Sequence, residues 1–264
     1  RAKEAVGILP FEKRLAKATP EEKPLLEAKI KELNPQMKEI RNGWLKNIQT
    51  FQNTSYLNLI NALNRHKPDL IIECTREELL MKQSILSEWS KILRAAKQKN
   101  PDFKLPIVAT TTSSLLVADI AKPLPNEIKT KFLDFHPFNP PDRMDLVEIA
   151  STSQTDHQVV QEIAAFAKAL GLEPVLVKDS CGFIVIRILF AYLGEAVRML
   201  ERGEASLEQI IRSTVDFGYP MDPFRLLDFI GVDVSEAILA NLHNAFPGHI
   251  EPPGLLFKIL LSQG

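Results

Sequence analysis

A histidine and a glutamate separated by twelve positions are the residues of this chain best suited to acid–base chemistry. His136 opens the run HPFNP at 136–140, and Glu148 lies in the run LVEI at 146–149. A carboxylate beside a histidine fixes the tautomer of the ring and stabilises the imidazolium, so the pair predicts a general base if the two runs are neighbours. The other interpretation is a packed histidine next to an aromatic strand, with no chemical role.

Both residues belong to short apolar runs that are typical of buried strands. The run 131–136 is stopped by Pro137 and Pro140, which cannot donate to a β-ladder, so His136 is expected at the carboxyl end of a strand. In open α/β sheets that edge binds ligands. Further strands are predicted at 69–73, 106–110, 146–149 and 174–177. Helices between them predict an α/β domain with a parallel sheet.

Hydroxyl residues mark the expected helix starts. Thr75 with Glu78, and Thr155 with Gln158, have the spacing of a capping box. A cluster of hydroxyls from Thr110 to Ser114 follows the strand at 106–110, and it either caps the next helix or contributes to a site. Both roles are compatible.

The second half of the chain carries helix signals only. Helices are predicted at 183–202, 206–217, from Pro223 onward, at 234–245 and at 255–261, which puts a domain boundary near Ser180. Residues 1–48 are rich in Lys and Glu with scattered prolines and predict short, broken helices, followed by a helix at 57–63. No signal peptide is visible in this stretch.

Composition excludes several classes of protein. The 264 residues carry a formal net charge of -1, which leaves no electrostatic footprint for nucleic acid. No apolar run reaches the length of a membrane span. Cys74 and Cys181 are the only cysteines, so a disulfide framework is not expected and a reducing, intracellular compartment is favoured. No metal site is predicted.

Five ordered motifs closely resemble the L-3-hydroxyacyl-CoA dehydrogenase family. They are TSSL (112–115), HPFNP (136–140), LVE (146–148), VKDSCGFIVIR (177–187) and GYPMDPF (218–224). The resemblance covers residues 68–264. It implies a Rossmann-like NAD-binding domain at 1–180, incomplete because residues 1–50 diverge, followed by an all-helical dimerisation domain at 181–264. It also implies oxidation of the 3-hydroxyl of an acyl-CoA by NAD, as in fatty-acid metabolism.

The same resemblance assigns roles to individual residues. His136 is similar to the family's general base, Glu148 to the carboxylate that orients it, and Ser113 to the serine that contacts substrate and cofactor. Asn139, Glu77 and Lys82 match cofactor contacts. The acyl-CoA is the implied substrate, and a homodimer or a larger complex through the helical domain is the implied assembly.

Two departures from the family pattern affect the functional prediction. The glycine-rich loop GxGxxG, whose amides hold the pyrophosphate, is absent, since only Gly7 and Gly43 precede Gly171. Ile186 stands where the family has an asparagine that helps to hold the substrate oxygen, and an apolar side chain cannot form that hydrogen bond.

Three interpretations therefore remain open. The chain is a trimmed view of a working dehydrogenase, a catalytically impaired relative that serves as a structural subunit, or an acyl-CoA binding module without redox chemistry. The implied compartment is the mitochondrial matrix or a bacterial cytoplasm.

Overall fold

The computed structural model describes residues 68–139 and 144–262. The predicted segments 1–48 and 57–63 lie outside these residues. Within them, an α/β unit is followed by helices alone. The first unit contains β1 (Leu70–Glu73), α1 (Leu79–Lys99), β2 (Ile107–Thr110), α2 (Val117–Ile120), α3 (Asn126–Lys129), β3 (Phe132–Pro137), β4 (Leu146–Ser151), α4 (His157–Ala169) and β5 (Glu173–Lys178). The second contains α5 (Val185–Glu201), α6 (Leu207–Phe217), α7 (Pro223–Ile230), α8 (Val232–Ala245) and α9 (Leu255–Ser262).

The five strands form one sheet in the order β1-β2-β3-β4-β5. All neighbours are parallel except β3 and β4, which are antiparallel. The expectation of a parallel sheet therefore holds for three of the four pairings. The exception follows from the short connection after Pro137, because a parallel crossover needs about a dozen residues or more.

Alternating side chains divide the sheet into two apolar faces. One face packs against α1 through a cluster that includes Leu86, Trp89 and Phe132. The other packs against α4 through a cluster that includes Leu133, Ile149 and Ile163. Because side chains alternate along a strand, the polar residues at the carboxyl ends of β1 to β3 share the α1 face: Glu73, Thr110, Asp134 and His136.

Two helix caps differ from the predicted ones. The N-cap of α1 is Glu78, whose side chain makes no capping hydrogen bond. The predicted cap, Thr75, donates its hydroxyl to the carboxylate of Glu73 instead. The N-cap of α4 is Asp156, which accepts from the amide of Gln158 at 2.9 Å. The hydroxyl of Thr155 donates instead to the carbonyl oxygen of Phe132 at 2.7 Å. In both places the threonine hydroxyl forms a hydrogen bond with an acceptor outside the helix and does not cap the helix.

The helical unit has its own apolar core between α5 and α8. Ile186, Phe190, Leu193 and Val197 repeat at helical spacing on one face of α5 and are buried. They pack against buried residues of α8, including Leu239. The predicted change from mixed α/β to all-α structure is therefore observed.

The connection between the two units is built around Gly182. Its φ is +70°, and a Cβ atom here would lie 2.6 Å from Cδ2 of Leu242, so only glycine fits. Arg187 closes the turn by donating to the hydroxyl of Ser180 and, at 3.1 Å, to the carbonyl oxygen of Cys181. Its guanidinium also lies 4.5 Å from the ring centroid of Phe246. No helix in the described part of the chain is long and apolar enough to cross a membrane.

Candidate active site

His136 is held between a carboxylate and a hydroxyl. In the antiparallel β3–β4 pair, His136 and Glu148 are direct register partners. Nδ1 of His136 lies 3.2 Å from Oε2 of Glu148, and Nε2 lies 3.1 Å from Oγ of Ser113. With Glu148 ionised, the consistent assignment is that Nδ1–H donates to the carboxylate and Nε2 accepts from the serine. The lone pair that can take a proton therefore points towards Ser113.

The imidazole is almost completely enclosed. His136 is 6% exposed. Its ring centroid lies 4.7 Å from that of Phe138 in an edge-on arrangement and 5.9 Å from that of Phe183. The two aromatic rings restrict the imidazole to one orientation, so that both ring nitrogens keep their partners.

Glu148 joins the sheet to the helical unit. Its Oε1 accepts from the backbone amides of Ile184 and Val185 at 3.0 and 3.1 Å, where α5 begins. A helix N-terminus stabilises a negative charge. Burial alone raises the pKa of Glu148, but the hydrogen bonds from His136 and from these two amides outweigh it and hold the pKa below its usual range. Glu148 is therefore anionic at neutral pH and can stabilise an imidazolium at His136.

Ser113 lies on a short loop after β2 that another carboxylate holds in place. Oε1 of Glu77 accepts from the amides of Ser113 and Ser114 at 2.9 and 2.7 Å, and from the hydroxyl of Thr112 at 2.7 Å. The hydroxyl of Thr112 in turn accepts from the amide of Leu115 at 3.0 Å. The hydroxyl cluster thus serves both predicted roles, since one hydroxyl caps the segment that leads to α2 and another faces the histidine.

Glu77 also has an open acceptor. Among the described residues, all of its hydrogen bonds go to Oε1, and the residue is half-buried. Asn139 is exposed two positions after the end of β3, so its amide is accessible near the same sheet edge. Both residues are placed where a ligand at this edge can reach them.

Lys82 has different surroundings from those expected of a cofactor contact. It is 0% exposed, and its Nζ lies 3.1 Å from Oε2 of Glu73, which is also buried. The same ammonium donates to the carbonyl oxygens of Thr75 and Thr111 at 3.3 Å each. Burial raises the pKa of Glu73, but the charge of Lys82 and the threonine hydroxyls lower it below its usual range. The observed contacts of Lys82 are those of a buried ion pair, and its cofactor role stays a prediction.

Ile186 lies in the first turn of α5, and its side chain faces away from solvent. It is 7% exposed and belongs to the apolar core of the helical unit. No hydrogen bond to a substrate oxygen is available from this side chain.

Sequence reasoning missed two acidic residues of this region, Glu73 and Asp134. Both are essentially inaccessible to solvent. Both could have been noticed in the sequence, because each is a charged residue inside an otherwise apolar strand. Asp134 is also two positions before His136, so it points to the same face of the sheet. Within the described residues, no group of three His, Cys, Asp or Glu side chains is placed to hold a metal ion.

Comparison with known proteins agrees with the motifs. Residues 15–180 match the family model for the 3-hydroxyacyl-CoA dehydrogenase NAD binding domain, and residues 182–264 match the model for its C-terminal domain. The mitochondrial hydroxyacyl-coenzyme A dehydrogenase of Mus musculus is 38% identical over 194 residues, which are 73% of this chain and 57% of that protein. The human protein of the same name is 38% identical over 179 residues, 67% of this chain and 54% of that protein.

The chain thus spans little more than half the length of these relatives. A crystal structure of (S)-3-hydroxybutyryl-CoA dehydrogenase from Ralstonia eutropha has a TM-score of 0.69 and 28% identity, over 91% of this chain and 80% of that one. The predicted fold class, a Rossmann-like domain followed by a helical domain, is confirmed. The matching NAD-binding model agrees with NAD as the expected cofactor. The chain belongs to the 3-hydroxyacyl-CoA dehydrogenase family.

Proposed function

We propose that this chain supplies the catalytic residues of an NAD-dependent 3-hydroxyacyl-CoA dehydrogenase, which oxidises the 3-hydroxyl of an acyl-CoA to a ketone. The observation that carries the proposal is the hydrogen-bonded series Ser113, His136 and Glu148. It provides a base with a fixed tautomer, a carboxylate that stabilises its protonated form and a hydroxyl beside it.

In this mechanism Nε2 of His136 takes the proton of the substrate hydroxyl. Glu148 stabilises the resulting imidazolium through Nδ1–H, as carboxylates do in other histidine-based sites. With substrate bound, the hydroxyl of Ser113 turns from Nε2 and donates to the same substrate oxygen, which keeps that oxygen next to Nε2. In the reverse reaction, the imidazolium returns the proton to the ketone oxygen.

Bound NAD would supply the acceptor for the hydride that leaves the carbon carrying the hydroxyl. The donor set at the sheet edge fits its nicotinamide half, because Glu77 keeps an open carboxylate oxygen and Asn139 an accessible amide. A carboxylate can accept from the carboxamide or from ribose hydroxyls. These two residues and Ser113 are the side chains that we assign to cofactor binding, with Lys82 as a further predicted contact.

The test is oxidation of NADH by the full natural protein with acetoacetyl-CoA, followed by NADH absorbance. His136→Ala should lower kcat at least about a hundredfold, because general base catalysis contributes about that much or more. His157→Ala is the matched control, since His157 is exposed on α4 and should leave the rate unchanged. Equal rates for His136→Ala and wild type would refute the proposal. A wild type without activity would favour the structural-subunit interpretation, which rests on Ile186 and the missing glycine loop.

We further propose that the helical unit forms the contact between two copies. Several apolar side chains on it are exposed, including Ile188 at 68%, Phe217 at 81% and Phe229 at 58%. Aromatic side chains are enriched at protein–protein interfaces. Sedimentation of wild type and Phe217→Ser tests this, and a wild-type monomer would refute it. We also propose that the protein is mitochondrial, and the names of its mammalian relatives support this. Imaging of a tagged natural chain tests the compartment.

A further inference from the structure

Asp134 is a buried carboxyl beside the candidate active site that the proposed mechanism does not use. It lies in β3 two positions before His136, on the same face of the sheet. Its exposure is 0%. Its register partners are Thr110 in β2 and Ala150 in β4, so it occupies the middle of the sheet.

Asp134 holds the loop that carries Ser113. Its Oδ1 accepts from the amide of Thr112 at 2.8 Å. The next two amides, of Ser113 and Ser114, donate to Glu77. Three successive N–H groups therefore point into two carboxyl groups, one from the sheet and one from the segment before α1. Thr112 is 0% exposed, so water cannot replace Asp134 as the acceptor.

The surroundings of this carboxyl disfavour its ionised form. Burial raises the pKa of Asp134 well above its usual range, and the negative charges of Glu77 and Glu148 add to the effect. The Thr112 amide and the Lys82 charge lower it, but by less. Among the described residues, Oδ2 of Asp134 has no hydrogen-bond partner. A neutral acid accepts a backbone hydrogen bond through its carbonyl-type oxygen, so an amide side chain of the same shape can do the same.

We propose that Asp134 is a positioning residue: by accepting the Thr112 amide, it fixes the start of the loop that aims the Ser113 hydroxyl at His136. The inference rests on the proposed function, because it concerns the geometry of the same Ser113 to His136 contact. That contact measures 3.1 Å, and a misplacement of about 1 Å in such a contact can cost about a hundredfold in rate.

The first experiment measures hydrogen exchange in the full natural protein and does not depend on activity. Asp134→Val keeps a strand-forming side chain of similar size but removes the acceptor. The peptide that contains Thr112 to Ser114 should exchange at least about tenfold faster in this variant, since a lost buried hydrogen bond is worth about that factor. Asp134→Asn should restore the wild-type rate. Asp134→Ala replaces the valine variant if the latter does not fold.

Two references separate this local effect from general destabilisation. A peptide from α4 in the same sample reports global opening, and the change in the Thr112 to Ser114 peptide is measured relative to it. Asp222→Ala removes a carboxyl that accepts two backbone amides, of Phe224 and Arg225, in the helical unit, and should leave the Ser113 loop unchanged. Unchanged exchange in Asp134→Val, or equal exchange in the asparagine and valine variants, would overturn the proposal.

The second experiment is a kinetic double-mutant cycle with Ser113→Ala. Asp134→Val should lower kcat by roughly 10- to 100-fold with KM for the acyl-CoA nearly unchanged, because Asp134 touches no substrate. In the Ser113→Ala background, the same change should cost less than about threefold, since the residue acts through Ser113. Fully additive losses would overturn the proposal. An inactive wild type refutes the proposed function alone, and hydrogen exchange then decides the role of Asp134.

Discussion

The buried pair between Lys82 and Glu73 makes the sharpest prediction about stability. Lys82→Met keeps most of the aliphatic stem of the lysine and removes its charge. Glu73, which is 1% exposed, would then keep only hydroxyl and amide donors, among them the Thr110 hydroxyl at 2.5 Å. Removing one partner of a buried ion pair typically costs about 3–5 kcal/mol. We expect the upper half of that range at pH 7, because the carbonyl oxygens of Thr75 and Thr111 also lose the ammonium as a hydrogen-bond donor.

The double variant Glu73→Gln with Lys82→Met should recover most of that loss, since no charge remains buried and the amide can still bond to the threonines. Lys91→Met is the matched control. Its ammonium pairs with Glu88 at 2.6 Å, but it is 62% exposed, so the cost should stay below about 1 kcal/mol.

Urea denaturation followed by circular dichroism gives the free energies of unfolding by linear extrapolation. A loss below about 1 kcal/mol for Lys82→Met, or a double variant no more stable than the single one, would contradict the reasoning. The same proteins separate stability from cofactor binding. If Lys82 also contacts NAD, the double variant will be stable and still bind NADH weakly.

Three further predictions follow from the same site. Glu148→Gln should lower kcat by roughly 10²–10⁴, because an amide cannot stabilise the imidazolium, and steady-state kinetics measures it. The same substitution should also remove a pH dependence of the unfolding free energy. Because the pKa of Glu148 is lower in the folded state, its carboxylate stabilises the fold above the pKa of the unfolded state, and this stabilisation is lost as pH falls through the folded-state pKa. The stability advantage of the wild type over the variant should therefore vanish in acid. Ile186→Asn should raise kcat roughly a hundredfold, since it restores a donor to the substrate oxygen, and should lower the unfolding free energy because Ile186 is buried. No gain in kcat would show that Ile186 does not limit the rate. Asp134→Asn should stabilise the fold increasingly as pH rises above about 4. The reason is that the wild-type carboxyl, whose pKa is raised in the folded state, must take up a proton on folding. The difference in unfolding free energy between variant and wild type should grow by up to about 1.4 kcal/mol per pH unit. Thermal unfolding at several pH values measures this slope, and a pH-independent difference would contradict it.

Local signals were sufficient for most of the elements. The apolar runs predicted all five described strands to within two residues at either end. For β2, β3 and β4 the reason is that a strand buried on both faces has to be apolar almost throughout. Glycine and proline marked the helix ends, as with Gly218, whose φ of +109° follows α6. The caps at Thr75 and Thr155 were wrong because a local rule does not include competing partners elsewhere in the fold.

The sequence by itself determined the five described strands and the longer helices, the change from α/β to all-α near residue 180 and, through its motifs, the family. It also identified His136, Glu148 and Ser113 as candidates. Only the tertiary structure decided that β3 and β4 are antiparallel, which makes His136 and Glu148 register partners. It also decided that Lys82 is buried against Glu73 and that Asp134 holds the Ser113 loop. These contacts join residues far apart in sequence, and whether a charge is exposed or buried depends on which elements pack over it, which no local pattern specifies.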